Sequence, residues 1–85
     1  MPRSVFTDAY KAMIQTLVEA RRSANVTQVE LAERLGKPQP WVSNYENCTR
    51  RLDVIEFIAI CRAIDHDPGA LFRVVLKKAP ANLEI

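Results

Sequence analysis

The side chains of this 85-residue chain with the widest range of chemistry are amides and hydroxyls, and they cluster. Pro40, Ser43, Asn44 and Asn47 stand at i, i+3, i+4 and i+7, with Lys37 and Gln39 just ahead of them. On a helix that spacing makes one stripe. The other side carries Val42 and Tyr45, turned inward, with Glu46 beside them. A face kept only for solubility would favour Lys and Glu, yet this one is uncharged. An amide donates and accepts at once, which matches the edge that adenine shows in the major groove of duplex DNA. The competing reading is a merely solvated face.

Other chemistries find little footing. Cys48 and Cys61 are too far apart for a CxxC redox or zinc pair, and His66 is the single histidine. There is no Gly-rich phosphate loop and no paired catalytic carboxylates, and His66 falls between helices. No catalytic residue, metal, cofactor or small-molecule ligand is therefore expected. No apolar run reaches the ~18 residues of a membrane span. Met1-Pro2-Arg3 is not followed by a secretory leader. Both observations predict a cytoplasmic protein with reduced thiols. The formal net charge is +2, split as +3 over residues 1–52 and −1 over 53–85. A basic N-terminal part suits a polyanion-binding face, although an ordinary solvated surface would look similar.

The elements that position the stripe are helices throughout. Tyr10, Ile14, Leu17 and Val18 predict a first helix from Thr7 to Ser23. Thr27-Gln28-Val29-Glu30 has the form of a capping box opening a second helix, which Gly36 ends. Pro38 is read as the first position of a third helix, with Pro40 still inside its first turn, running to about Asn47. Asp53-Val54-Ile55-Glu56 repeats the capping box for a fourth helix through Phe57, Cys61 and Ile64. Asp67-Pro68 opens a fifth to about Lys78, closed by Pro80. The expected architecture is all-α, a five-helix bundle in one domain spanning 1–85, with a short tail from about 79.

Thr27 to Asn47 thus reads as two short helices joined by a glycine turn, a helix-turn-helix. Ala32 is small where the helices must cross, Gly36 allows the turn, and Val42 is apolar where the second helix must anchor. The stretch from Thr27 to Asn47, TQVELAERLGKPQPWVSNYEN, resembles the signature of lambda-repressor-like, Cro-type (xenobiotic-response-element type) helix-turn-helix domains. The resemblance runs from about Leu17 to Leu71. It implies a homodimer binding a pseudo-palindromic DNA operator, and transcriptional control, usually repression. It also implies that Gln28 grips a phosphate and that Arg21 and Glu46 form an ion pair tying the first helix to the third. Two solvated charges are the alternative for that pair.

Gln39, Pro40, Ser43 and Asn44 are the expected base contacts, Pro40 through an apolar touch. Gln28, Lys37, Trp41, Asn47, Thr49, Arg50 and Arg51 are the expected phosphate contacts. Trp41 has two placements open, along the DNA backbone or over the core beside Tyr45. Cys48 departs from the resemblance, standing where glycine is common. Either it adopts a positive φ, or Asn47 does and the loop carrying Arg50 and Arg51 is reshaped. A thiol switch at Cys48 is the rival to a plain small residue. Ile55, Ile58, Ile60, Val74, Leu76, Leu83 and Ile85 are either core or a homodimer surface in the C-terminal helices and tail. A second function stays open on the same fold: an antitoxin-like or adaptor module that binds protein.

Overall fold

A computed structural model describes residues 7–83 and 85. Met1 to Phe6, where the leader was sought, and Glu84 lie outside the described residues. Five helices follow in order: α1 (Asp8–Ser23), α2 (Gln28–Leu35), α3 (Gln39–Glu46), α4 (Val54–Ala63) and α5 (Pro68–Lys78). Among the described residues there is no strand, and no helix is long and apolar enough to cross a membrane.

Each start has a local cause. The Thr7 hydroxyl accepts the Tyr10 N–H at 3.2 Å. Thr27 and Glu30 form the full reciprocal box, as do Asp53 and Glu56. Such a cap contributes about 1 kcal/mol by satisfying amides that the first turn leaves open. The start of α3 differs from the sequence reading. Pro38 is the N-cap, with ψ at 151°, and Gln39 is the first helical residue. An N-cap must be extended, and proline's fixed φ permits that as readily as it permits a first helical turn.

Pairwise packing places α1 against α5 and α3, α2 against α3 and α4, and α4 against α5. The α2–α3 unit is thereby held between α1 and α4. Leu17, Leu31, Val42, Tyr45 and Ile60 are fully buried at the junction. Each large apolar side chain so buried stabilises the fold by roughly 1.5–3 kcal/mol. Ala32 on α2 is 2% exposed and belongs to the buried core. Ile60 is core, which settles its place on the side away from any dimer surface.

Candidate nucleic-acid interface

With Val42 and Tyr45 at 0% exposure, α3 has one face locked into the core. The opposite face is then set by helical geometry alone. Gln39, Pro40, Asn44 and Asn47 are exposed or partly so, and Ser43 is half-buried. The structure therefore brings the expected base-reading residues together on one open surface.

The end of α3 is clamped at Asn44. Its carbonyl accepts the Thr49 N–H at 2.9 Å, the Thr49 hydroxyl at 3.0 Å and the Arg50 N–H at 3.2 Å. Thr49 thus directs both its donors inside the chain. Its expected phosphate contact has no donor left in this conformation, and its work is to close the helix. Cys48 takes the left-handed conformation, φ 58°, while Asn47 stays at φ −87°. The loop keeps the shape a glycine would give.

Beneath the loop, the basic residues are held rather than splayed. Arg50 donates to both Glu56 carboxylate oxygens, at 3.2 and 2.8 Å, and to the Arg51 carbonyl at 2.8 Å. Its hydrogen bonds, ahead of that from the Asp53 amide, hold the Glu56 carboxyl below the usual carboxylate range. Arg51 stacks over the Tyr10 ring at 4.5 Å, and the Tyr10 hydroxyl accepts the Leu52 N–H at 2.9 Å. Glu56 and Tyr10 were not among the expected site residues. The signal for Glu56 was its capping box, which says nothing of a second partner. Tyr10 looked like one more core aromatic on α1.

Trp41 covers the core. It is half-buried and meets Tyr45 edge-on, with ring centroids 5.6 Å apart. Lys37 and Arg50 lie over its ring at 5.7 and 4.7 Å, inside the range where a cation is drawn to an aromatic face. Trp41 therefore gathers two of the expected phosphate contacts at the edge of α3.

Arg21 and Glu46 form the ion pair. The Arg21 Nε donates to one Glu46 oxygen at 2.7 Å and a terminal nitrogen to the other at 2.9 Å. Their side chains are 8% and 5% exposed. The other Arg21 nitrogen donates to the Val26 carbonyl at 2.8 Å, so each guanidinium nitrogen has an acceptor. Gln28 donates to the same carboxylate at 2.8 Å and accepts from the Gln39 amide at 2.9 Å. The side chain expected to grip a phosphate is thus turned inward to the pair. Gln28 still offers an anion its second amide N–H and its position at the start of α2, where backbone amides point outward.

Cys61 is buried in the core, and burial pushes its thiol up to about 11. Among the described residues, no group of His, Cys, Asp or Glu is arranged to hold a metal ion.

Comparison with known proteins places this geometry in context. Residues 17–70 match the family model described as helix-turn-helix. Among solved structures, the chain is similar to an XRE-family like protein from Pseudomonas syringae pv. tomato str. DC3000. The two share 51% identity at a TM-score of 0.80, over 85% of this chain and 88% of that one. Curated proteins gave no match.

Proposed function

Because the chain belongs to the lambda-repressor-like, XRE-type helix-turn-helix family of DNA-binding regulators, we propose that it reads an operator with the open face of α3. The observation that carries this is the exposed row Gln39, Pro40 and Asn44, with Ser43 beside it, on a helix whose other face is fully buried. Gln39, Ser43 and Asn44 meet base edges in the major groove, and Pro40 makes an apolar contact. Lys37, Arg50 and Arg51, with Asn47 and the α2 N-terminus at Gln28, line up along phosphates and set the register.

One such helix makes too few contacts for operator-level affinity, so two copies bind half-sites about 34 Å apart. Their contact is the apolar surface left uncovered on α4, α5 and the tail, including Ile55, Leu76 and Leu83. Bound in this way the protein represses, as is usual in the family, by occupying DNA that another protein must reach.

Selection from random duplexes tests the reading and yields the half-site and its spacing. Asn44→Ala should then cost operator binding about 1–3 kcal/mol while leaving random DNA nearly unchanged. Equal losses on both would remove Asn44 from base reading. Three cations from each of two copies predict log K falling by about 5 per decade of salt. A salt-independent affinity, or none, would favour the protein-binding adaptor instead.

A further inference from the structure

Arg50 comes to the expected DNA face with most of its donors already engaged. Its Nη1 donates to one Glu56 carboxylate oxygen at 3.2 Å and to the Arg51 carbonyl at 2.8 Å. Its Nη2 donates to the other Glu56 oxygen at 2.8 Å. The guanidinium sits over the Trp41 ring at 4.7 Å, which restricts it further. From this arrangement we infer that Glu56 is a specificity-determining residue that acts through Arg50. It cancels the charge of Arg50 toward phosphates in general, and keeps one edge of the guanidinium set for a single operator phosphate. This rests on the DNA-binding reading above and goes beyond it, since that reading treats Arg50 as an ordinary cation of the row.

The pairing leaves a defined remainder. A guanidinium carries N–H donors in a rigid planar fork, one on Nε and two on each Nη. Both Nη1 donors and one Nη2 donor are taken by Glu56 and the Arg51 carbonyl. The Nε–H and the second Nη2–H have no partner among the described residues. They lie along one edge, the same edge by which Arg21 holds both oxygens of Glu46. Such an edge fits two oxygens of one phosphate. Neither stability nor capping explains the charge on Glu56. The Arg50 and Glu56 side chains are 37% and 24% exposed, and a pair so open to water stabilises a fold little. Glu56 also accepts the Asp53 N–H to close its capping box, a task that glutamine performs as well. Away from an operator, binding follows charge, because each phosphate met by a cation releases counterions whatever the sequence. A cation cancelled by its neighbour adds little to that term. On the operator, the register brings a phosphate to the open edge, and geometry makes the contact.

The test measures affinity across salt for a selected operator and a random duplex, with Glu56→Gln, Arg50→Ala, their double variant and Arg50→Lys. Glu56→Gln keeps the cap and releases the cation. Its affinity for random DNA should rise on the order of tenfold at about 0.1 M salt, and the salt slope should steepen by about 2 per decade, one cation from each of two copies. Operator affinity should rise less, so discrimination narrows. With Arg50→Ala already in place, Glu56→Gln should leave the slope as it was. Arg50→Lys keeps the charge but loses the planar edge, and should weaken operator binding alone. Equal slopes for the wild type and Glu56→Gln overturn the proposal alone. So does a steepening that persists without Arg50, which would mark a through-space charge, and so does an Arg50→Lys variant that binds the operator like the wild type. Urea unfolding separates a structural role: a less stable Glu56→Gln that weakens on both duplexes alike also overturns it. A wild-type chain that enriches no sequence overturns the DNA-binding reading, and this proposal with it.

Discussion

Arg21 stands where a cation is costly, at 7% exposure, and its guanidinium is met by Glu46 and by the Val26 carbonyl. Taking such a charge out of water is offset only while those partners remain. Arg21→Ala leaves Glu46 buried with Gln28 as its remaining donor, and should cost about 3–5 kcal/mol in urea unfolding. A loss under ~0.5 kcal/mol, the size of an ordinary surface change, would strip the pair of its structural role. Resemblance pointed to this pair, but residue types alone left two solvated charges equally open. What decides it is the packing of α1 and α3, which brings together two side chains 25 positions apart.

Four helices end the same way. Asn25, Gly36, Cys48 and Asp65 each adopt a positive φ just past α1, α2, α3 and α4. The residue after each donates its N–H back to the carbonyl at the other end of the same six-residue turn: Val26 to Arg21, Lys37 to Ala32, Thr49 to Asn44 and His66 to Cys61. This left-handed stop satisfies carbonyls the last turn leaves open. Gly36 is legible as a stop because only glycine makes that conformation cheap. Cys48 is not, since nothing in its chemistry requests it and the surrounding turn imposes it. The conformation should cost Cys48 about 1–2 kcal/mol. Cys48→Gly and Cys48→Ala lose the same sulfur packing, but only glycine relieves the backbone. Thermal or urea unfolding should find the glycine variant more stable by about 0.5–1 kcal/mol. A more stable alanine variant would show that the turn carries no strain.

At the scale of the whole molecule, the apolar residues do not all find cover. Of those marked as core or contact surface, Ile60 is core and Ile58 is half-buried, while Ile55, Val74, Leu76, Leu83 and Ile85 are exposed. Val54, at 71%, and Phe72, at 49%, join them and were not anticipated. An apolar groove lined by Val54, Phe57, Ile58, Pro68, Gly69 and Phe72 runs between the starts of α4 and α5. A stable dimer commonly covers about 800 Å² on each partner, with an apolar centre. Sedimentation at tens of micromolar should therefore show a dimer for the wild type and a monomer for Ile55→Glu. A wild-type chain that stays monomeric at high micromolar would remove the homodimer from the account.

The helices, the capping boxes and the amide stripe were all legible in the order of the residues. Those features depend on positions three or four apart, and such distances are visible in a linear text. Folding had to supply the rest: Gln39 leans on Gln28 across 11 positions, and Gln28 leans on Glu46 across 18. In the same way Arg50 is shared with Glu56, Trp41 lies on Tyr45, and Ile60 goes inside. Each of these depends on where one segment of chain sits against another. A polar side chain does not announce its partner until packing removes the water that would otherwise serve it.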